Sequence, residues 1–391
     1  MDDGEKVEWS ELPKELLPTI GKNLDTRIDI VRFRSVCNTW RSSIPHFLSY
    51  SPRFPLIFPT PYSAPTPNRT PAYLCQSTIY RLQSLNPSST SLNKAWLIKV
   101  EQDSNSGGKF RLFDPISNRR TRYPIPNKTL NLFDSRVVEL TKAYTLRYQF
   151  RAGSSTSTNE IEQVLSVFDT PIFGVNKVVM FPDSPWTNVN ASAAFVIFND
   201  GKLGFAKSGD EELILVDRES FDYDDIIVYK GQFYVINSLG IVSWIDHSSL
   251  KLVQFLPPLC GLGSQKHLVE SCGALYVVDR YLDRERRVEN DAFYMGGADC
   301  AQSIGFKVYR FDEEWGRWEL KESLGDRAFV LGNDCCFSVM AKELSGYKRN
   351  CIYFTDQDEV RARVFSLEDN SFGYLSYSEE SHPSWPLPNL L

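Results

Sequence analysis

Apolar residues recur at helical spacing near the start of the chain and at strand spacing from about residue 72 onward. The first predicted helix starts at Pro13, because proline fits the first turn of a helix. Its apolar residues are Leu16, Leu17, Ile20 and Leu24. A second helix should open with a capping box formed by Thr26 and Asp29. It carries Ile30, Val31 and Phe33.

A third helix is predicted within the stretch FRSVCNTWRSSI, which ends before Pro45. It places four residues on one stripe, namely Val36, Cys37, Trp40 and Ile44. Three helices this short cannot bury three apolar faces among themselves. Part of that surface therefore needs another partner, which is either the rest of the chain or a second protein.

The later part of the chain predicts short strands separated by tight turns, most clearly between residues 226 and 255. Four strands fit there, at 226–229, 232–237, 241–245 and 251–255. Four adjacent antiparallel strands form one blade of a β-propeller. A weak repeat supports this interpretation, since GQFYVI begins at Gly231 and GALYVV begins 42 residues later at Gly273. About 40–45 residues are expected for each blade.

Grouping the predicted strands and turns of the rest of the chain in the same way gives about six units. They span residues 72–126, 136–182, 191–221, 226–256, 265–322 and 326–376. The charged stretch 281–303 interrupts the fifth unit and should form a long surface loop. We therefore predict three N-terminal helices followed by an all-β propeller of about six blades of short antiparallel strands.

Charge and composition narrow the classes of partner. The formal net charge of −6 argues against a general binder of nucleic acid or of anionic membranes. No apolar run approaches the roughly 18 residues that a membrane-spanning helix needs, and the acidic start carries no signal-peptide core. We therefore expect a protein of the nucleus and/or cytoplasm, without a nucleic-acid or membrane partner. Its eight cysteines should be reduced there.

Motifs of catalysis and of metal binding do not emerge from the sequence. Its four histidines form no H-E-x-x-H pair, and no C-x-x-C is present. Cys335 and Cys336 are adjacent and are expected to be thiols of the core. We therefore expect no catalytic residues, no metal and no cofactor. Propeller enzymes assemble their sites only in three dimensions, so clustered carboxylates or histidines at the central channel would favour an enzyme.

Two parts of the chain together resemble a known family. The stretch WSELPKELLPTIGKNLDTRIDIVRFRSVCNTWRSSI, residues 9–44, resembles an F-box. Residues 306–357, with DDIIVYKGQFYVI and HLVESCGALYVVDR, resemble the DUF295, or KIB-type, β-propeller of plant F-box proteins. The resemblance covers nearly the whole chain. It implies an F-box at 8–46, a proline-rich connector at 47–71, a propeller at 72–378 and a C-terminal tail at 379–391.

The resemblance also implies partners and a mechanism. An F-box binds a Skp-type adaptor, which links it to a cullin–RING ubiquitin ligase, and the propeller recruits an unknown protein substrate for ubiquitination. The positions that match adaptor contacts are Leu12, Pro13, Leu16, Ile20, Leu24, Val36, Cys37 and Trp40. Each of these residues could instead pack between the helices. The stretch 281–303 is a candidate for part of the substrate-binding face.

Two other functions remain open at this point. The chain could bind the adaptor without ligase activity, as a scaffold or a regulatory protein. It could also be a propeller enzyme with an incidental helical cap. Gly21, in the middle of the first helix, is one departure from a stable helix, since glycine costs up to about 1 kcal/mol there relative to alanine.

Overall fold

The computed structural model is mostly β-sheet, with three short α-helices at the N-terminal side. It describes residues 12–45, 54–59, 72–84, 95–102, 110–120, 135–150, 168–184, 186–217, 222–259, 261–283, 301–356 and 361–375. The predicted C-terminal tail and most of the stretch 281–303 lie outside these residues. The same holds for most of the predicted connector and for the outer ends of the predicted F-box. The domain boundaries therefore stay predictions.

The three helices form where the sequence predicts helices. Their bounds are α1 Leu17–Lys22, α2 Arg27–Ser35 and α3 Asn38–Ser43. The capping box is confirmed, because the Asp29 backbone N–H donates to Thr26 Oγ1 over 3.1 Å. Arg34 joins α2 to the end of α3, where its guanidinium donates to the carbonyl oxygens of Arg41 and Ile44 over 2.8 Å and 2.6 Å. It thereby satisfies carbonyls that a helix terminus leaves without a partner.

One small core joins the three helices, and it consists of Leu17, Ile30, Phe33, Trp40 and Ile44. Gly21 explains how α1 comes so close to the end of α3. A Cβ atom at this position would overlap the Cγ2 atom of Ile44, which is only 2% exposed. The glycine that is unfavourable for helix propensity is therefore required by packing.

The predicted stripe of the third helix is wrong in one respect. Cys37 has an extended backbone, with φ −162° and ψ 177°, so it interrupts the helical path between α2 and α3. Val36 consequently belongs to the end of α2 and is exposed, whereas Trp40 and Ile44 on α3 point into the core. A single helix through all four positions would have kept them on one side.

The strands among the described residues divide into five units. The first unit contains β1 Leu56–Phe58, β2 Ala72–Ser84, β3 Trp96–Gln102, β4 Phe110–Phe113, β5 Ser135–Phe150 and β6 Phe168–Pro171. The second contains β7 Val175–Phe181, β8 Ala193–Phe198, β9 Leu203–Lys207 and β10 Ile214–Leu215. The third contains β11 Tyr223–Tyr229, β12 Gln232–Asn237, β13 Val242–Asp246 and β14 Lys251–Gln254. These last four strands confirm the blade predicted between residues 226 and 255.

The fourth and fifth units complete the order of strands. The fourth contains β15 Gln265–Ser271, β16 Ala274–Asp283, β17 Gln302–Asp312 and β18 Arg317–Lys321. The fifth contains β19 Arg327–Leu331, β20 Cys336–Met340, β21 Cys351–Phe354, β22 Arg363–Ser366 and β23 Phe372–Tyr374. Most neighbouring strands are antiparallel, whereas β19 and β21 pair in parallel.

Five hydrophobic cores lie between successive units and close them into a ring. Cores join the first unit to the second, the second to the third, the third to the fourth and the fourth to the fifth. The last core joins the fifth unit to the first, where Ala328 and Val330 pack with Ile79 and Ala143. The backbone N–H of Ala95 donates to the carbonyl of Glu343 across this junction over 2.7 Å. The described strands therefore form a five-unit propeller.

The predicted count of six blades is not confirmed, for a reason that lies in strand pairing. The sequence suggests separate units at 72–126 and 136–182. In the structure, β5 pairs with β2 along its length and so belongs to the first sheet. The contact between β5 and β7 is a single residue pair, Tyr144 with Val178, and β7 pairs with β8 instead. One predicted unit is thereby divided between two neighbours.

The weak repeat corresponds to equivalent turns in neighbouring blades. Gly231 and Gly273 each follow an inner strand and have φ values of 76° and 74°. The preceding residues, Lys230 and Cys272, also have positive φ, as a type I′ hairpin turn requires. The repeat therefore marks the entry into the second strand of each of these two blades.

Among the described strands, β7, β11, β15 and β20 lie side by side at the axis and begin at the same end of the ring. Tyr229 Oη donates to the Gly273 carbonyl over 2.8 Å near the end of β11, and Ser271 Oγ lies 2.9 Å from Ser338 Oγ. The entry face is defined here as the end where these strands begin, at Val175, Tyr223, Gln265 and Cys336. The opposite end is called the exit face.

The N-terminal helices pack on the exit face. Trp186, in the connection that follows β7, donates from Nε1 to the carbonyl of Leu24 over 3.0 Å. Arg32 donates from Nη2 to the carbonyl of Val137 over 2.6 Å, and Ile28 packs on Leu82 and Val137. Polar and apolar contacts thus hold the helices against the first two blades. Among the described helices, none is long and apolar enough to cross a membrane.

A buried ion pair joins the inner strands near the entry face. Lys177 Nζ on β7 lies 2.5 Å from Asp225 Oδ1 on β11, and these side chains are 11% and 2% exposed. The other carboxylate oxygen of Asp225 accepts the backbone N–H of Leu268 on β15 over 2.7 Å. One carboxylate therefore connects three successive blades.

We expect Gly21→Ala to lower the stability of the N-terminal helices. The new methyl group must displace Ile44 in a filled core, which costs about 1–3 kcal/mol. Hydrogen exchange of the helices, monitored at increasing urea concentration, measures this loss of unfolding free energy. Lys22→Ala, at the exposed neighbouring position, should change stability by less than about 0.5 kcal/mol. A gain in stability from Gly21→Ala would show that helix propensity dominates and that the packing argument is wrong.

We expect Asp225→Asn to destabilise the propeller by about 3–5 kcal/mol, because it leaves the buried ammonium of Lys177 without its counter-charge. Chemical denaturation measures the loss, and the double variant with Lys177→Met should recover part of it. Lys202→Met is the matched control, since its ion pair with Asp200 is exposed and contributes about 0–1 kcal/mol. Equal effects of Asp225→Asn and Lys202→Met would contradict a structural role of the buried pair.

Candidate functional site

Exposed apolar residues mark the surface of the N-terminal helices as a candidate binding site. Four large apolar side chains are between 38% and 52% exposed there, and we call them the helix patch: Leu16, Ile20, Val31 and Val36. The helices already bury a separate set of apolar residues in their own core. The helix patch is therefore additional to what folding of this segment requires, and such exposed apolar side chains are typical of interaction sites.

The predicted adaptor contacts occupy three different environments. Leu16, Ile20, Val36 and Pro13 are exposed. Leu12, Leu24 and Cys37 are half-buried and pack against the helical core. Trp40 is only 8% exposed, and its ring centroid lies 4.5 Å from that of Phe33. The structure thus places Trp40 as an internal packing residue, which is the alternative that the sequence left open.

Val31 belongs to the helix patch, although the sequence analysis did not select it as a contact. A signal for its position was present in α2. Ile30 and Phe33 are three residues apart and share one side of the helix, where both are buried. Val31 is rotated by about 100° from Ile30, so it must point away from that side. It is 52% exposed.

A second candidate site lies at the axis, near the entry face. Asp225, His267 and Cys336 each offer a possible metal ligand, and their donor atoms lie within 4.8 Å of one another. Cys336 Sγ is 3.9 Å from His267 Nδ1 and 4.0 Å from Asp225 Oδ2. Carboxylate, imidazole and thiolate together are a ligand set that zinc accepts. These residues come from three different strands, so their proximity is not visible in the sequence.

The charges around these three residues fit an ion-pair network better than a metal site. The ammonium of Lys177 already lies on the Asp225 carboxylate, which also accepts the backbone N–H groups of Ile226 and Leu268. Burial raises the pKa of the Cys336 thiol to about 12, so this thiol remains protonated at neutral pH. A nucleophile requires the thiolate.

His267 does not behave as a general base in this environment. Burial lowers its pKa, and the positive charges of Arg280 and Lys177 lower it further. The neutral ring faces a protonated thiol at Cys336 rather than an activated nucleophile. The axial cluster therefore brings together residue types that enzymes use, without the protonation states of a cysteine–histidine pair in catalysis.

Further buried ion pairs surround the axis. Arg280 on β16 lies 2.6 Å from Asp356, which also pairs with Arg363 and so connects the fourth unit to the fifth. Lys99 on β3 lies 2.5 Å from Asp334, and this pair connects the first unit to the fifth. All of these carboxylates have a cationic partner inside the protein. The role of these carboxylates is structural, since their ion pairs link neighbouring units of the ring.

Comparisons with known proteins identify the architecture. Residues 70–376 match the KIB1-4 β-propeller family. An Arabidopsis thaliana relative, At1g65770, is provisionally named an F-box protein and is 34% identical over 93% of both chains. F-box protein At4g35733 of the same organism is 32% identical over 94% of both chains. F-box protein SKIP23, also from Arabidopsis thaliana, is 32% identical over 86% of this chain and 81% of its own.

These matches extend over the helices and the ring of sheets together. The family match covers all five units of the propeller except β1 of the first unit, and the relatives align over most of their own length. The N-terminal helices fit an F-box in number, order and position ahead of the propeller. The chain therefore belongs to the F-box proteins with a KIB1-4 β-propeller.

Proposed function

We propose that this chain is the substrate-recognition subunit of a Skp–cullin–F-box ubiquitin ligase. Its F-box would bind a Skp-type adaptor, and through it a cullin–RING ligase. Its propeller would recruit a target protein for ubiquitination. In this function the chain carries no catalytic residue and needs no cofactor. It raises the local concentration of a substrate near the ubiquitin-loaded enzyme.

The observation that carries the proposal is the helix patch. Leu16, Ile20, Val31 and Val36 stay exposed although the helices form a core, against which Trp186 of the propeller also packs. Contacts of the helices with the propeller include Leu24, Ile28 and Arg32, none of which belongs to the patch. The patch therefore remains available to a partner, and because each side chain is already about half buried, covering it would contribute roughly 0.7–1.5 kcal/mol to binding.

The contacts between helices and propeller favour a receptor of fixed shape. Trp186 and Arg32 connect the two parts by hydrogen bonds to backbone carbonyls, and Ile28 adds an apolar contact. An adaptor bound to the helices would therefore be held at the exit face. The entry face would point away from the adaptor and toward a substrate.

A second candidate function is a scaffold or regulator that binds the adaptor without directing ubiquitination. It is compatible with the same helix patch, because adaptor binding and ligase activity are separate properties. The half-life of a bound target, measured with and without this protein, distinguishes the two functions. A propeller enzyme is the third candidate, and the cluster of Asp225, His267 and Cys336 is the observation in its favour. The raised pKa of the thiol weighs against it.

We expect the double variant Ile20→Asp/Val36→Asp to lose co-purification with a Skp-type adaptor. Two charges would replace exposed apolar side chains at the interface, which should weaken binding by about 2 kcal/mol or more. Co-purification of the full chain with the adaptor and the cullin measures this change, and circular dichroism confirms that the variant is folded. Trp315→Asp is the control, since Trp315 is 69% exposed and lies in a turn of the propeller.

Trp40→Ala should impair adaptor binding through a loss of folding rather than a loss of contact, because the Trp40 side chain belongs to the helical core. It should lower the stability of the helices by about 3–5 kcal/mol, as buried tryptophan truncations do. Hydrogen exchange of the helices in the absence of the adaptor separates this loss of folding from a loss of contact. A folded wild-type chain that binds no adaptor would overturn the ligase proposal and the scaffold alternative together.

A further inference from the structure

Three large apolar side chains stand on loops at the entry face, opposite the F-box. Phe173 is 86% exposed, Leu239 is 67% exposed and Leu262 is 92% exposed. Each lies in a loop that precedes an inner strand or joins the second strand of a blade to the third. These positions contribute nothing to the five cores of the ring, so their apolar character is not explained by folding.

Hydrogen bonds between loops connect these three residues into one continuous surface. Backbone N–H groups donate across neighbouring loops in the pairs Asn199–Gly174, Tyr223–Gly201, Ser238–Asp222 and Leu259–Gly240, over 2.8–3.0 Å. We call the connected loops, residues 172–174, 199–202, 237–241 and 255–264 without 260, the loop arc. It runs across the second, third and fourth units of the propeller.

The loop arc is built closely enough to act as a surface rather than as separate loops. Gly240 has a φ of 78°, which glycine adopts without strain, and it lies against Leu259. A Cβ atom at this position would come within 2.6 Å of the Cβ atom of Leu259. The contact of these two loops fixes the bases from which Leu239 and Leu262 project.

Acidic side chains accompany the apolar ones on this face. Asp200 lies in the loop arc, Asp217 follows β10, and Asp222 lies directly before β11. Lys202 also lies in the arc, and its ammonium is 2.6 Å from Asp200. Asp217 accepts a hydrogen bond from the Tyr223 hydroxyl over 3.0 Å. A neutral donor therefore orients Asp217, whereas the ion pair with Lys202 orients Asp200. The described residues beside the three apolar side chains therefore carry a net negative charge.

We propose that the loop arc is the docking surface for a segment of a partner protein that carries large apolar side chains together with lysine or arginine. The apolar side chains would cover Phe173, Leu239 and Leu262, and the basic ones would pair with the aspartates. Exposed apolar residues beside a net charge of one sign are typical of such protein interaction sites. This inference rests on the proposed function and names the chemistry of the substrate segment.

The experiment begins with a library of random 16-residue peptides displayed on phage and selected on the full-length chain. Each enriched peptide is synthesised with a fluorophore, and its Kd is measured by anisotropy. We expect enriched peptides to combine at least two large apolar residues with lysine or arginine. The variant Phe173→Ser/Leu239→Ser/Leu262→Ser should weaken their binding roughly tenfold or more.

Two further variants locate the site and test the charges. Trp315→Ser removes an equally exposed apolar residue from the turn after β17, toward the exit face, and should leave Kd within about twofold of wild type. Asp222→Asn should weaken binding and should reduce its dependence on salt, because one attractive charge is lost. All three variants should keep the circular dichroism spectrum of the wild type.

The inference is overturned if no peptide is enriched, or if enriched peptides bind the triple variant as tightly as wild type. It is also overturned if their binding is lost in Ile20→Asp/Val36→Asp, since they would then occupy the helix patch. Adaptor co-purification of the triple variant reports on the proposed function separately. Retained adaptor binding with lost peptide binding in the triple variant supports the loop arc, whereas a wild-type chain that binds the peptides but no adaptor contradicts the proposed adaptor binding alone.

Discussion

The buried ion pair between Lys177 and Asp225 is the interaction on which the arrangement of the propeller most depends. The Asp225 carboxylate also accepts the Leu268 backbone N–H, so it joins the inner strands of three successive blades. A buried charge is costly without a partner, and this cost opposes any shift of one strand relative to the next. Because the inner strands begin at one end of the ring, their preceding loops meet on one face. The ion pair therefore orders the surface that we propose as a docking site.

The helices depend on a different constraint, which is the close contact at Gly21. That contact allows Ile44 to complete the core together with Leu17 and Trp40. This core, together with Trp186 from the propeller, leaves the helix patch exposed. Trp186 and Arg32 then bind the helices to the exit face. The two candidate binding surfaces are thus kept on opposite sides of one molecule, as a receptor between an adaptor and a substrate requires.

Local sequence patterns predicted local structure well. They did not predict which strands pair when those strands are far apart in the sequence. The capping box at Thr26 and the four strands of the third blade depend on residues that are near one another in sequence, and both are confirmed. The blade count failed because β5 pairs with β2, across a stretch that reads as the start of a new unit. Alternation of apolar and polar residues fixes the faces of a strand and leaves its neighbour undetermined.

The candidate sites show the same division. Helical spacing grouped Leu16 and Ile20 with Leu17, of which the first two are exposed and the third is buried, so spacing alone did not separate the surface from the core. The burial of Trp40 could be predicted only with knowledge of the break in the helical path at Cys37. That break is a backbone geometry that residue type does not reveal. The axial cluster and the loop arc assemble from separate blades, so only the closed ring brings their members together. Sequence spacing carries no signal for such contacts.

Hydrogen exchange with mass spectrometry, on the full-length chain with and without a Skp-type adaptor, tests the central claim most directly. The account predicts slower exchange on binding in the α1 and α2 peptides that carry Leu16, Ile20, Val31 and Val36. It predicts unchanged exchange in the loops of the entry face around Leu239 and Leu262. Protection of those loops by the adaptor, or unaltered exchange of the helices in a complex that forms, would contradict the account.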